Sequence, residues 1–178
     1  MKVAGVKAET VIEVLRKIPS NKRRKVKEIT LDMTGNMELI SRRAFTLAVR
    51  VTDRFHVQQL ATEALQEMRI KHRWAALDAE NEAIEKAKKG SYQFQSNFLD
   101  NGDTLKQLLA RSRYVLYKRT EHWTPSKKER ADLLFQHYPD LKQAYDLSMA
   151  LSNIFEKTTD KVYGLARLAK WHEKTRQA

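Results

Sequence analysis

The sequence predicts a predominantly helical protein in two parts: a small α/β piece over residues 1–56 and an all-helical region over residues 57–178. Three observations lead there. Two short β-branched runs, VKEITL and VRVT, flank a stretch with helical spacing, which is the pattern of a parallel sheet. No comparable run follows His56, where apolar residues recur at helical intervals instead. A chain of 178 residues with 42% hydrophobic content is also long and apolar enough to bury a core.

Val11, Val14, Leu15 and Ile18 place a first helix over Ala8 to Ile18, and Pro19-Ser20-Asn21 ends it. The basic segment Lys22-Arg23-Arg24-Lys25 reads as a loop. Val26 to Leu31 is a strand that stops at Asp32. Thr34 opens a helix through Met37, Ile40 and Ala44, and Val49 to Thr52 is a second strand ending on Asp53. Two parallel strands are too few to stand alone, so this part reads as a piece of a larger sheet.

Beyond His56, Val57, Leu60, Ala61, Ala64, Leu65 and Met68 mark a helix that continues past Trp74 towards Lys88. Residues 90–102, GSYQFQSNFLDNG, are loop-like. Leu105, Leu108, Leu109, Val115 and Leu116 mark one further helix. Thr124-Pro125-Ser126 is a strong helix start, with proline in the first turn and Ser126 and Glu129 at capping-box spacing. Pro139-Asp140 ends that helix and opens another, through Ala144, Leu147, Leu151 and Ile154. A last helix from about Thr159 carries Val162, Leu165, Ala166 and Ala169 on one side. The helical region thus holds about five helices.

Net charge is +12 with a pI near 9.9. Residues 1–31 contain nine lysines and arginines against three glutamates, a net of +6, so half of the excess lies in about a sixth of the chain. Such a surplus favours a polyanionic partner, nucleic acid first and an acidic membrane surface second. There is no cysteine, which excludes a disulfide framework and a cysteine-based zinc finger. No apolar run approaches the roughly 20 residues of a membrane span. The opening MKVAGVKAETVIEVL has no apolar signal-peptide region, so a cytoplasmic location is expected.

Asp32 and Asp53 each follow a short strand directly, and the carboxyl ends of parallel strands are where ligands gather. Two carboxylates there suit a hard cation such as Mg²⁺ or Mn²⁺. Equally, each aspartate reads as the start of a turn or the cap of the next helix. His56 reads as a metal ligand, a proton carrier, or a partner holding Asp53 across a tight turn. No glycine-rich phosphate loop, GxSxG or HExxH is present.

Candidate phosphate contacts fall in three patches: Lys22, Arg23, Arg24, Lys25 and Lys27; then Arg167, Lys170 and Lys174 on one face of the last helix; and Arg111, Arg113, Lys118 and Arg119, interleaved with Tyr114 and Tyr117. Each patch reads as well as a solvated face. Trp74, Trp123 and Trp171 are expected to anchor the core.

The stretches EITLDMTGNMELI, VTDRFHVQQLATEALQEMRIKHRW, LLARSRYVLYKRTEHWTPSKKERADLLFQHYPDLKQAYDLS and LARLAKWHEK closely resemble the bacterial insertion-sequence transposases of the ISL-three type. The resemblance covers nearly the whole chain. It implies an RNase-H-like fold and a DDE triad of carboxylates that binds two Mg²⁺ (or Mn²⁺) ions to cut and join DNA. Asp32, in LDMTGN, best matches the second acid, and is the metal-binding position it points to. Asp53 and His56 match a D-x-x-H signature on the next strand. The resemblance also implies that the first acid lies before this chain and the third beyond Trp171, so a truncated, inactive transposase fragment is expected. Phe45-Thr46-Leu47-Ala48 departs from the family's Phe-Pro-Asn-Ala. The family's amino-terminal zinc-binding and helix-turn-helix regions have no counterpart here. The expected partners are DNA, an intact transposase or a second copy of the chain, with no membrane. The alternative is a non-catalytic helical module that binds DNA or transposase.

Overall fold

A computed structural model describes residues 7–177. The chain is predominantly helical with one small parallel sheet, and it divides into two compact units, one ending at Gln59 and the other beginning at Leu60.

In the first unit, helix α1 (Ala8–Arg16) has Glu9 in its first turn and Arg16 in its last, both favourable to the helix dipole. Pro19 then caps a single turn, α2 (Ser20–Arg23), where a loop was expected. Strand β1 (Glu28–Leu31), helix α3 (Gly35–Ala44) and strand β2 (Val49–Thr52) follow as a parallel crossover. The register pairs Glu28 with Val49 and Leu31 with Thr52. Beyond the strands the ladder gains a rung at each end, from Val49 N–H to the Lys27 carbonyl (2.8 Å) and from Asp53 N–H to the Leu31 carbonyl (2.7 Å). Ala8 and Ile12 of α1 bury against Ile40 of α3, with Val11, Leu15 and Leu39 around them. Leu31 is buried and Ile29 half-buried, whereas Val49 and Val51 on the opposite face lie exposed. Parallel sheets ordinarily cover both faces; among the described residues this one covers a single face.

Helix α4 (Arg54–Lys89) runs without a break for 36 residues. Its end forms a Schellman motif. Tyr92 N–H donates to the Ala87 carbonyl (3.1 Å) and Ser91 N–H to that of Lys88 (3.4 Å), with Ser91 in the left-handed region at φ 56°. Glycine usually takes that position. Here Gly90 stands one residue earlier, where a Cβ would come within 2.6 Å of the Tyr92 ring.

The second unit is built around Leu65, Leu108, Leu109, Leu116, Leu134 and Leu141, all essentially inaccessible. The helix expected over residues 105–116 is two, α5 (Leu105–Arg111) and α6 (Arg113–Leu116). Ser112 divides them. Its hydroxyl donates to the Leu108 carbonyl (2.6 Å), the local competition that makes serine a poor helix-interior residue. A 3-10 turn (Thr120–His122) leads to α7 (Pro125–His137), whose cap is Thr124 with Pro125 first in the helix. The helix therefore starts too early for Ser126 and Glu129 to form the expected capping box. Helix α8 (Pro139–Lys157) contributes Tyr145, whose hydroxyl donates to the Lys118 carbonyl (2.8 Å). Burial pushes that hydroxyl up to about 12, with Asp146 and Glu121 adding in the same direction.

Buried polar groups knit these helices together. Asp103 is 1% exposed and pairs with Arg111 and Arg130, joining the loop after α4 to α5 and α7. Arg69 of α4 donates to Gln66 (2.8 Å) and to the Leu109 carbonyl (2.8 Å), while Gln66 donates to the Arg113 carbonyl (3.1 Å). His72 meets Asp140 at 2.6 Å.

Helix α9 (Lys161–Gln177) corrects the sequence reading most. Its apolar side, Val162, Leu165, Ala166 and Ala169, is exposed; Gly164, Arg167, Leu168, Trp171 and Thr175 are the half-buried positions. The Trp171 indole donates to the Leu147 carbonyl of α8 (2.8 Å). A Cβ on Gly164 would sit 3.3 Å from the Thr158 methyl, so the small residue permits close approach. Trp123 is likewise an anchor, stacked near Phe135 and Tyr145. Trp74 is 60% exposed and anchors nothing. Among the described residues no helix is long and apolar enough to cross a membrane.

Two stability changes follow from this packing. Leu134→Ala should cost about 2–5 kcal/mol in urea unfolding, as a cavity in a fully buried site. Ser91→Gly should stabilise by about 1 kcal/mol, since it removes a left-handed non-glycine residue. No gain in the second variant would show that the Schellman turn frays at no cost.

Candidate metal-binding edge and nucleic-acid interface

Because Leu31 pairs with Thr52, the residues that follow, Asp32 and Asp53, stand on adjacent strands at the carboxyl end of the sheet. The crossover topology thus gathers two carboxylates 21 positions apart in the chain. Each is first engaged locally. Asp32 Oδ1 accepts hydrogen bonds from the Thr34 hydroxyl (2.7 Å) and the Thr34 backbone N–H (3.1 Å). These bonds hold its carboxyl below the usual aspartate range; partial desolvation opposes them and the nearby His56 adds a little in their favour. Thr34 thereby spends its hydroxyl on Asp32 rather than on capping α3.

Asp53 Oδ1 accepts from Phe55 N–H (2.9 Å), the geometry of a side chain capping α4. The turn-and-cap roles foreseen for both acids are therefore real. His56 Nε2 lies 3.9 Å from Asp53 Oδ2, close enough for a charge interaction but too long for the hydrogen bond expected of it. The Phe55 ring stands edge-on to the imidazole at 5.8 Å. In both aspartates the described hydrogen bonds fall on Oδ1.

A cleft of about 370 Å³ opens beside Asp32, with Glu38 of α3 and Arg50 and Thr52 of β2 in its wall. Sequence reasoning missed Glu38 and Arg50. Glu38 follows Asp32 by six positions, a spacing with no meaning until α3 folds back along β1. Two carboxylates suit one hard cation that keeps waters or phosphate oxygens as its other ligands. Among the described residues no three His, Asp or Glu side chains are arranged to hold a metal ion.

The basic residues divide between free and engaged. Lys22, Arg24, Lys25 and Lys27 are exposed. Arg23 is not free: its Nε donates to the Ile18 carbonyl (3.0 Å) and its Nη1 to that of Ala44 (2.6 Å). On α9, Lys170 and Lys174 are exposed, while Arg167 donates to the Thr158 hydroxyl (2.8 Å) and lies 5.7 Å over the Tyr163 ring. Of the patch over residues 111–119, Arg113 and Lys118 are exposed and the other two cations are engaged. Arg111 pairs with Asp103, and Arg119 pairs with Glu156 while also donating to Asn153 and Ser152.

Residues 2–178 match the family model described as a transposase, of the DDE class and the ISL-three type. No curated protein matches the chain, and no solved structure does.

Asp32 offers a direct check on this geometry. A carboxyl depressed in the folded state stabilises the fold above the ordinary aspartate range, and that contribution is lost as pH falls through the folded value. Thr34→Val removes the larger of the two hydrogen bonds, so the Asp32 titration, followed by carboxyl ¹³C NMR, should move up. An unmoved midpoint would place the cause elsewhere.

Proposed function

The chain belongs to the ISL-three type of DDE transposases, and we propose that its first unit is part of an RNase-H-like catalytic core that contributes Asp32, with Asp53 and His56 beside it, to metal-dependent phosphoryl transfer on DNA. One observation carries this reading: both aspartates terminate register-matched parallel strands, where an open α/β sheet presents its ligands. On this reading residues 57–178 are a helical insertion region, and the substrate implied by the family is DNA.

Asp32, with Asp53 beside it, would hold a divalent cation, which when bound would neutralise phosphate charge and lower the pKa of a bound water. The chain's own residues set the terms for that. The Thr34 hydrogen bonds keep Asp32 ionised and aimed, and Phe55 N–H fixes Asp53 at the start of α4. Arg50 in the wall of the cleft supplies a guanidinium that suits a phosphate oxygen. Among the described residues Asp32, Asp53 and Glu38 are not arranged as a three-ligand metal site, so on this reading the chain alone does not complete a two-metal clamp and acts as an inactive portion of a transposase. A second reading is favoured by the +12 charge and the exposed cations at residues 22, 24, 25 and 27: a non-catalytic module that holds DNA, an intact transposase or a second copy.

Purified chain supplied with Mg²⁺ and transposon-end DNA should show no nicking, yet should retain duplex DNA with an affinity that falls steeply with salt. Robust cleavage abolished by Asp32→Asn would overturn the inactive-fragment reading. Retention that ignores salt, or is absent near physiological ionic strength, would overturn the DNA-binding one.

A further inference from the structure

We propose that Arg42 and Arg43, in the last turn of α3, join Lys22, Arg24 and Lys25 in one surface for the DNA phosphate backbone, and that Arg23 assembles this surface rather than touching DNA. The inference rests on the DNA-binding reading above and extends it to residues that sequence proximity does not connect.

The chain contains no acidic residue between Glu13 and Glu28, and none between Glu38 and Asp53. The first of these stretches holds seven lysines and arginines and the second holds three. Arg23 ties the two together. Its planar fork reaches the Ile18 carbonyl behind α1 and the Ala44 carbonyl at the end of α3, a link across 21 positions. A recess of about 190 Å³ lined by Ser20, Arg23, Arg24, Ala44 and Thr46 marks the junction. Arg42 and Arg43 precede the bonded carbonyl by two residues and one, and both are exposed.

Several lysines of the helical unit have a carboxylate partner. Lys86 sits with Glu82, Lys106 with Glu80 and Lys142 with Asp146. Among the described residues none of Lys22, Arg24, Lys25, Arg42 and Arg43 makes an ion pair. The partial negative charge at the carboxyl end of α3 offsets only part of their mutual repulsion. Cations spread over two elements, with no enclosing pocket, suit a run of backbone phosphates better than a single anion.

The test uses the full chain and a 30-base-pair duplex of arbitrary sequence. Each phosphate contact contributes about 0.9 to the slope of log K against log salt, so the double variant Arg42→Gln, Arg43→Gln should lower that slope by about 1–2. The double variant Lys22→Gln, Lys25→Gln should do the same. Arg23→Lys keeps the charge but not the fork, and should reduce both affinity and slope although net charge is unchanged; circular dichroism checks that this variant still folds. A slope unmoved by the Arg42, Arg43 variant, with the Lys22, Lys25 variant still effective, would overturn the joint surface while leaving DNA binding intact. An Arg23→Lys chain that folds and binds like the parent would overturn the assembling role. Failure of the unaltered chain to bind duplex would overturn both this inference and the reading beneath it.

Discussion

The parallel register between Glu28–Leu31 and Val49–Thr52 is the constraint on which the candidate chemistry depends. Side chains alternate along a strand, so a slip of one residue would turn every side chain of β2 to the other face and leave Asp32 and Asp53 on different levels. Strands of four residues hold such a register weakly by themselves. The ladder is kept in place by its surroundings: one extra rung at each end, and the crossover helix α3, whose Ile40 is locked against Ala8 and Ile12 of α1. Packing of a few apolar residues thus sets the positions of two acids that take no part in that packing.

Arginine in this chain is used in two ways that composition cannot separate. Arg69, Arg111, Arg119 and Arg130 are tied into buried or half-buried networks in the helical unit, where the planar guanidinium satisfies carbonyls and carboxylates at once. Asp103 illustrates why. A carboxylate with almost no solvent contact needs charged or hydrogen-bonding partners, and removing either arginine would leave one of its oxygens poorly compensated. The lysines at positions 22, 25, 170 and 174, with their flexible point charges, remain on the surface. The +12 of the whole chain therefore bears on binding only once each cation has been assigned to one group or the other.

Much of the fold is legible from the sequence because it depends on local periodicity. The two strands, α3, the long α4, the breaks at Pro19 and Pro139, and the loop after Gly90 all follow from apolar spacing and from residues with restricted backbones. Reading failed where one side chain's tertiary partner outweighed the pattern. The helix break falls at Ser112, whose hydroxyl and backbone N–H both donate to the Leu108 carbonyl, and no periodicity signals it. In α9, the indole of Trp171 and the small Gly164 decide which side packs, and the more apolar side faces outward. At the strand ends the sequence shows Asp32, Asp53 and His56. Glu38 and Arg50 become neighbours of that edge only through the crossover, and Arg23 reads as one more cation until its carbonyl partners are known.

The sheet face that is uncovered among the described residues has a consequence for the chain's behaviour in concentrated solution. Sheet edges with exposed valines are templates for another strand, and short β-prone windows of low charge are the usual starting points of ordered aggregates. Along the strand Arg50 separates the exposed Val49 and Val51, its side chain on the other face, and Asp53-Arg54 closes the segment directly after Thr52. Charges placed so act as gatekeepers: stacking a second VRVT on the first would bring guanidinium groups into register against each other. The same arginine that faces the acidic edge thereby guards the sheet against uncontrolled growth.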